Sequence, residues 1–266
     1  MKLVVCILCI LCCVIGSATS VVAFDTVTSQ SHLSDLLDDD YDSEDDFGDD
    51  FDSEDDFDDD FTTISDPLEP LNRVFFEFND VIYEWVLSPV TDGYIWAIPR
   101  ELRESIGHFF FNLASPVRFL NFVLQGEFKQ SGVVLGRFLI NSTLGVYGLV
   151  DTAYLEFDIE PRRADFGQTL GRWGVGNGIY ICWPMVGPSS IRDTVGLVVD
   201  AYTHPIPYFH DNVALDISYY TSHKLNVLSL NPTVYDDLKR FALDPYVASR
   251  QAYYDYRKAV VESRSQ

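Results

Sequence analysis

A glycine-rich, aromatic stretch from Asp165 to Asp193 constrains the fold more than any other part of the sequence. Glycine allows backbone conformations and close approaches that other residues do not, and aromatic rings bury large areas. The glycines of the stretch are Gly167, Gly171, Gly174, Gly176, Gly178 and Gly187, and its main aromatic residues are Phe166, Trp173, Tyr180 and Trp183. This composition predicts a wall whose backbone bends often and packs closely against its neighbours.

Residues 1–23 are typical of a secretory signal peptide. A lysine precedes an apolar run, Leu3 to Ile15, that is too short to span a bilayer. Cleavage is expected after Ser20 or Ala23. Four of the five cysteines lie in this run, so their C-x-x-C spacing does not predict a metal or redox site, and only Cys182 remains downstream. The residues before these cysteines, Val5, Leu8, Leu11 and Cys12, do not form a lipobox, so the sequence predicts export and gives no support for lipidation.

Residues 24–65 have the composition of an acidic, low-complexity, disordered segment. Two nearly identical units, DSEDDFGDDF at 42–51 and DSEDDFDDDF at 52–61, follow one another. Repulsion between their carboxylates predicts an extended chain. Two interpretations of the segment stay open. It is either a solvated spacer before the folded domain or a docking tail for a divalent ion or a basic partner.

The net charge of −23 belongs mostly to that segment. Residues 35–60 hold 17 of the 41 Asp and Glu and no Lys or Arg, which leaves 24 acidic residues against 18 basic ones. Because no basic stripe is present to neutralise phosphates, nucleic acid is not a predicted partner.

The folded domain is predicted for residues 66–260, with a tail at 261–266. Asp66, Pro67 and Glu69 form a helix start signal with a capping box, and the first helix is expected to end at Pro89. Further helices are predicted over about 99–113, 116–126, 130–151, 211–226 and 232–242 and from Asp244 onward. No run of 18 apolar residues predicts a membrane-spanning helix.

The apolar stripe of the first helix has two interpretations. Leu71, Val74, Phe78, Ile82 and Trp85 recur at helical spacing. Ordinary core packing explains such a stripe, and so does a face that lies in a membrane interface.

Little in the sequence predicts catalysis. No G-x-S-x-G or H-E-x-x-H motif occurs, and the G-x-G-x-G run at 174–178 lacks the preceding strand of a nucleotide loop. His204 and His210, with Asp200 and Asp211, come nearest to a hydrolytic or metal-binding group, but residues in a proline-rich loop are usually solvated. The sequence therefore predicts no enzyme, no cofactor and no metal site.

Ordered motifs from residue 66 to residue 246 resemble those of the MlaA (VacJ) family. They are DPLE-x-LNR at 66–73, FN at 78–79, FNL-x-x-P at 111–116, N-x-x-LQG at 121–126, RF-x-x-NS-x-x-G-x-x-G-x-x-D at 137–151, FGQTLG at 166–171, GVG-x-G-x-Y at 174–180, P-x-x-GPS at 184–189, RD at 192–193 and DPY at 244–246. Several blocks in order are far more specific than any single one.

The resemblance implies an all-α fold, a ring-shaped bundle of amphipathic helices with a glycine-rich loop that lines a channel. It implies a position in the inner leaflet of the outer membrane, on the periplasmic side, and transport of mislocalised phospholipid from the outer leaflet to a periplasmic carrier of the MlaC type. An outer-membrane porin is the implied partner. The alternatives are a periplasmic, membrane-associated scaffold without transport and, third, a phospholipid-cleaving enzyme that depends on His204 or His210.

The family is typically lipidated near its start and its pattern contains no acidic repeat, so this chain departs from it in both respects.

Three groups of residues are predicted to form the lipid path. The first group fixes the first helix, the second forms the turn into the channel-lining loop, and the third shapes the wall. They are Asn72, Arg73, Phe78 and Asn79; Gly145, Gly148 and Asp151; and Gly167, Gly171, Gly174, Gly176 and Gly178. Plain packing and turn geometry is the alternative role for them.

Overall fold

The computed structural model describes residues 66–209 and 212–262 and is built mainly of α-helices. This confirms the all-α class. The predicted signal peptide and acidic segment, His210, Asp211 and the last four residues lie outside the described residues. The structure does not test the expected ring shape and channel, which stay predictions.

The described helices and strands follow one another through short connections. The helices are α1 (Glu69–Ile82), α2 (Ser88–Ala97), α3 (Arg100–Leu113), α4 (Ser115–Leu124), α5 (Phe128–Thr143), α6 (Thr152–Leu155), α7 (Phe166–Arg172), α8 (Ile191–Thr203), α9 (Val213–Leu230), α10 (Val234–Phe241) and α11 (Pro245–Glu262). A π-helical segment, Tyr83–Leu87, joins α1 to α2, and a 3₁₀ turn, Ile206–Tyr208, follows α8. Strands β1 (Tyr180–Trp183) and β2 (Gly187–Ser190) pair in antiparallel register, with Tyr180 opposite Ser190 and Trp183 opposite Gly187.

The start of α1 differs from the expected capping box. Leu68 is the N-cap and makes no side-chain capping bond. The Asp66 carboxylate instead accepts hydrogen bonds from Asn72 at 2.8 Å and from Tyr246 in α11. Glu69 pairs with Arg73. The motif thus joins the two ends of the domain, because long-range partners outcompete the local cap.

The expected end of the first helix at Pro89 is also wrong. Pro89 is the second residue of α2, and it has no N–H group to donate to the preceding turn. The segment just before it is π-helical, and the Ser88 N–H donates to the Tyr83 carbonyl, five residues back. Helical structure therefore runs almost unbroken from Glu69 to Ala97.

The remaining predictions agree with the structure at the end of α4 and differ from it in two places. Gly126 has a φ of 75° just after α4, as a C-terminal cap requires. Helix α5 ends at Thr143, well before residue 151, because a tight turn begins at Gly145. The β-hairpin inside the glycine-rich stretch was not predicted.

Apolar side chains form three small buried clusters. The main one contains Tyr180 and Cys182 of β1 with Tyr246 and Tyr253 of α11. The second contains Phe122, Val134 and Ala164, and the third contains Val186 and Leu197. The hairpin and α11 therefore share a core, and most of the buried residues outside these clusters are polar or charged.

Candidate functional site

Asn72 and Asn79 fasten the β-hairpin to α1 through the hairpin backbone. Asn72 is fully buried, its Oδ1 accepts from the Cys182 N–H at 2.9 Å, and its Nδ2 donates to the Tyr180 carbonyl at 3.2 Å. Two turns later Asn79 donates to the Trp183 carbonyl at 2.9 Å and accepts from a backbone N–H in the hairpin turn. A primary amide has one acceptor oxygen and two donor hydrogens. The two side chains can therefore make hydrogen bonds to the β1 backbone of the kind that a neighbouring strand would make.

Arg73 links the same helix to the start of α11. Its guanidinium donates to Glu69 and Asp244, each at 2.8 Å, and lies 4.5 Å from the centre of the Tyr246 ring. The hydrogen bond with Asp244, then the one with Glu69, raises the pKa of Arg73 above its ordinary value. Phe78, in contrast, is exposed. Asn72, Asn79 and Arg73 thus position the helix, and Phe78 belongs to its outer face.

A buried ion pair closes the turn after α5. Arg137 donates to both oxygens of Asp151, at 2.7 and 2.6 Å, and Asn141 donates to the same carboxylate at 2.9 Å. Asp151 also caps α6 by accepting from the Tyr154 N–H. The Arg137 side chain is 4% exposed. This pair fixes the turn to the helix that precedes it.

The glycines of that turn are required by space. A Cβ on Gly145 would lie 2.2 Å from the Val150 carbonyl oxygen, and one on Gly148, where φ is 90°, would lie 2.6 Å from Asn112. Between them Val146 and Tyr147 adopt φ values of 52° and 60°, which is uncommon for bulky residues. Both are exposed, Tyr147 by 79%, so the turn has a tightly packed base and an apolar tip.

A second buried charge network holds α7, α8 and α11 together. Asp165 caps α7 by accepting from the Gln168 N–H at 2.7 Å, and Arg257 of α11 donates to it at 2.8 Å. The same guanidinium donates to Asp193 of α8 at 2.8 Å, and Arg192 donates to Asp193 as well. Burial opposes ionisation of Asp193, but the charge of Arg257 and then the contacts of Arg192 hold its pKa below the ordinary value.

Gly167 and Gly171 lie within this network. A Cβ on Gly167 would lie 2.5 Å from Asp193, and one on Gly171 would lie 2.9 Å from Val261. Gly196 of α8, which the sequence analysis did not single out, packs so closely that its Cβ would lie 2.4 Å from the Gly167 nitrogen. The sequence feature that could have identified Gly196 is its position inside a helical pattern, because a glycine there often marks close packing.

The run from Gly174 to Gly178 is different, because it is an exposed loop. Gly174 and Gly178 have φ values of 86° and 71°, whereas Gly176 has no positive φ. A Cβ on Gly174 or Gly176 would meet nothing within 4 Å. The structure therefore separates the five predicted wall glycines into two that are packed and three that lie in a loop.

Asp200 forms a polar junction at the start of α7 that sequence reasoning missed. Its carboxylate accepts from Asn121 at 2.8 Å and from the Phe166 N–H at 2.9 Å. The Thr169 hydroxyl donates to the same Asn121 side chain at 2.9 Å. Burial, and then the nearby charge of Asp165, raises the pKa of Asp200 to about 7. The sequence had grouped Asp200 with histidines, but its hydrogen bonds go to α4 and α7.

His204 has structural partners. Its Nε2 lies 3.1 Å from the Tyr219 hydroxyl, and its Nδ1 accepts from the Ile206 N–H. Burial lowers its pKa to about 4. Within residues 66–209 and 212–262, no group of three His, Cys, Asp or Glu side chains could hold a metal ion. His210 and Asp211 lie outside the described residues.

The surface of the described part is unusually apolar and its interior unusually polar. Twelve of its buried residues are hydrophobic and 20 are polar or charged, while 37 large hydrophobic residues are exposed. Trp96 is 89% exposed. Four residues of the predicted stripe, Leu71, Val74, Phe78 and Trp85, are exposed and continue this surface, whereas Ile82 is partly buried. Core packing therefore does not account for the four exposed residues of this stripe.

The helices of the described part are each too short or too polar to cross a membrane.

Comparison with known proteins gives a consistent result. The model of the family described as MlaA lipoprotein matches residues 64–260. The intermembrane phospholipid transport system lipoprotein MlaA of Haemophilus influenzae is 34% identical over 195 residues, which cover 71% of this chain and 76% of that protein. Its Escherichia coli namesake is 31% identical over the same shares of the two chains. An uncharacterised protein of Rickettsia felis is 32% identical over 75% of this chain and 79% of its own.

A solved structure agrees with the sequence matches. It comes from work on the structural basis for maintenance of bacterial outer membrane lipid asymmetry, and it superposes with a TM-score of 0.66 at 29% identity. The match covers 74% of this chain and all of that one. On the extent of the family match and of these similarities, the chain belongs to the MlaA lipoprotein family.

Proposed function

We propose that the chain is the outer-membrane component of a retrograde phospholipid-transport system. It removes mislocalised phospholipid from the outer leaflet and passes it to a periplasmic carrier, which maintains lipid asymmetry. Family membership supports this proposal, since the relatives from Haemophilus influenzae and Escherichia coli are named as intermembrane phospholipid transport lipoproteins.

The observation that carries the proposal is the inverted polarity of the domain. Exposed hydrophobic side chains outnumber buried ones about threefold in the described part. An apolar exterior of this extent suits a surrounding of lipid chains, and amphipathic helices bind in the plane of a membrane interface. A polar interior offers hydrogen bonds to a lipid headgroup that crosses it.

The predicted site residues divide into a frame and a mobile part in this proposal. Asn72, Arg73 and Asn79 hold α1 against the hairpin and α11, while Phe78 contacts lipid on the outside. The turn at residues 145–151 and the packed glycines Gly167 and Gly171 belong to the frame. Gly174, Gly176 and Gly178 give the exposed loop the freedom to change shape as a lipid passes.

The partners follow from the same scheme. An outer-membrane porin would hold the protein in place, and a periplasmic carrier of the MlaC type would collect the lipid. Passage through the protein itself needs no catalysis or cofactor, since a misplaced phospholipid moves down its own free-energy gradient. Export by the signal peptide delivers the chain to the periplasmic side, and the exposed apolar face supports membrane binding whether or not a cysteine is lipidated.

The test is the phospholipid content of the outer leaflet in cells that lack the protein. We expect phospholipid to accumulate there and the wild-type chain to restore asymmetry. Unchanged asymmetry would leave the scaffold role. His204→Phe keeps an aromatic ring at this buried position and is expected to complement fully. Lysolipid that appears on overexpression of the wild type and not of this variant would favour the enzyme.

A further inference from the structure

The exposed loop at residues 174–178 contains the only Asn-Gly pair of the sequence, Asn177 followed by Gly178. Asparagine is chemically labile because its side-chain carbonyl carbon can close a succinimide ring onto the nitrogen of the next residue. A glycine in that next position hinders ring closure least, since it has no side chain. Gly178 is exposed and Asn177 is partly exposed, so water has access to both reacting groups.

The two reacting groups are also free of hydrogen bonds. Within residues 66–209 and 212–262, neither the side-chain amide of Asn177 nor the N–H of Gly178 has a hydrogen-bond partner. A Cβ on Gly176, just before the pair, would meet nothing within 4 Å, and one on Gly178 would only touch Ile191, at 3.4 Å. The loop can therefore rotate into the geometry of ring closure without first breaking a hydrogen bond of either group.

Asn141 has the opposite surroundings, although a small residue, Ser142, follows it too. It lies in α5 and is 5% exposed. Its Nδ2 donates to Asp151 at 2.9 Å, and its Oδ1 accepts from the Ala153 N–H at 2.8 Å. Both ends of this amide are fixed, and the backbone around it is held in a helix. The structure therefore protects Asn141 from the reaction that it leaves open to Asn177.

We propose that Asn177 is a modification site, where the side-chain amide is lost spontaneously and isoaspartate and aspartate form. The Gly178 nitrogen attacks the Asn177 Cγ, so that a new C–N bond forms and the Cγ–Nδ2 bond breaks. The side-chain nitrogen leaves as ammonia with the proton of the Gly178 N–H, and a succinimide remains. Water then opens this ring, at Cγ to give aspartate or at the backbone carbonyl carbon to give isoaspartate.

The position of the loop suits the charged product. The Asn177 carbonyl accepts from the Arg192 N–H at 3.3 Å, in the first turn of α8. In isoaspartate this same carbonyl carbon carries the new carboxylate, and an anion at the N-terminus of a helix is favoured. The reaction adds a negative charge and one carbon to the backbone of the loop. It is independent of lipid transport, because it needs only the loop and water.

The experiment incubates the exported, full-length chain in detergent at neutral and at mildly alkaline pH and then digests it with trypsin. Trypsin releases residues 173–192, whose only amide side chain is Asn177, and residues 138–162, whose only amide side chain is Asn141. Mass spectrometry detects the replacement of the amide by a carboxyl group in each peptide, and enzymatic methylation of isoaspartate detects the rearranged backbone. A parallel sample is incubated unfolded in guanidinium chloride.

Two variants complete the experiment. Asn177→Gln keeps a side-chain amide but would have to close a larger, less favourable ring. Asn212→Gln is the matched control, because Asn212 is exposed as well and is followed by the β-branched Val213.

We expect residues 173–192 of the folded wild type and of Asn212→Gln to convert at least about tenfold faster than residues 138–162, because Asn141 must first break its hydrogen bonds. Conversion should accelerate with pH, since the deprotonated Gly178 nitrogen is the attacking group. Asn177→Gln should show no isoaspartate in this peptide.

Three results would overturn the proposal. They are an unchanged mass of residues 173–192 in the folded chain, equal rates for the two peptides, and isoaspartate that persists in Asn177→Gln. Conversion that occurs only in guanidinium chloride would also overturn it, because the fold would then protect Asn177.

Discussion

The turn at residues 145–151 and the loop at residues 174–178 look alike in sequence and differ in structure. Both are glycine-rich, and both were expected to line the lipid path. The turn is closed by the Arg137–Asp151 pair, and its glycines lie against backbone and Asn112. The loop is open, and a Cβ on Gly174 or Gly176 would touch nothing. We refer to them as the closed turn and the open loop.

The difference shows that glycine serves three separate purposes in this chain. Gly145 is required because there is no room for a Cβ, and Gly174 because of its positive φ. Gly176 meets neither requirement, and in the proposed function it gives mobility to the open loop. Substitutions should therefore have effects that decrease from the closed turn to the open loop.

The largest effect is expected when the buried pair of the closed turn is broken. Asp151→Ala leaves Arg137 buried without its carboxylate and removes the cap of α6, and should lower the free energy of unfolding by about 3–5 kcal/mol. Urea unfolding in detergent measures this loss in the free energy of unfolding. The control is Glu104→Ala, which leaves an arginine with a 72% exposed side chain and should cost less than about 1 kcal/mol. Similar losses in the two variants would mean that the closed turn is not held by this pair.

The next effect concerns space in the closed turn. Gly145→Ala places a Cβ against two backbone oxygens, of Val150 at 2.2 Å and Asn141 at 2.6 Å, neither of which is free to rotate away. The resulting backbone shift should cost about 1–3 kcal/mol. Gly136→Ala is the matched control, since Gly136 lies in the preceding helix and a Cβ there meets nothing within 4 Å. The same urea titration compares them, and a stability of Gly145→Ala equal to or above that of Gly136→Ala would contradict the structure.

Much of the fold could be predicted because it depends on local patterns. Helical periodicity and proline gave the position of α3, and Asp244 with Pro245 gave the start of α11. Asp244 does accept from the Tyr246 N–H as a cap should. These signals arise within a few residues of one another, so a single sequence carries them.

The features that were not predicted depend on partners far away in the chain. The β-hairpin uses α1 as its neighbour through Asn72 and Asn79, which lie more than 100 residues before it. Asp66 likewise accepts a hydrogen bond from the distant Tyr246 and does not cap the helix that follows it. The stripe of α1 was ambiguous because periodicity shows that a face is apolar and not whether protein or lipid covers it.

A smaller effect is expected from backbone conformation in the open loop. Gly174→Ala must hold a φ of 86° without any steric clash from neighbours. Left-handed conformations cost a residue with a Cβ about 1–2 kcal/mol, so this variant should be destabilised by that amount at most. Gly176→Ala should be neutral or more stable by up to about 1 kcal/mol, since alanine restricts the unfolded chain. Thermal unfolding compares the two, and equal destabilisation would mean that the loop is packed in the native protein.

The smallest effect on stability should accompany a clear effect on function. Gly176→Val fits the open space at residue 176 and should change the free energy of unfolding by no more than about 0.5 kcal/mol. A β-branched side chain stiffens the loop, so in the proposed function lipid passage should fall while membrane association stays at the wild-type level. Outer-leaflet phospholipid and membrane fractionation are measured on the same cells, with Gly132→Val in α5 as a control for a valine placed where nothing lies within 4 Å. Equal loss of transport and membrane association would assign the loop a folding role. Full transport in Gly176→Val would show that mobility at residue 176 is not needed, and the lipid path would then depend on the closed turn and the hairpin.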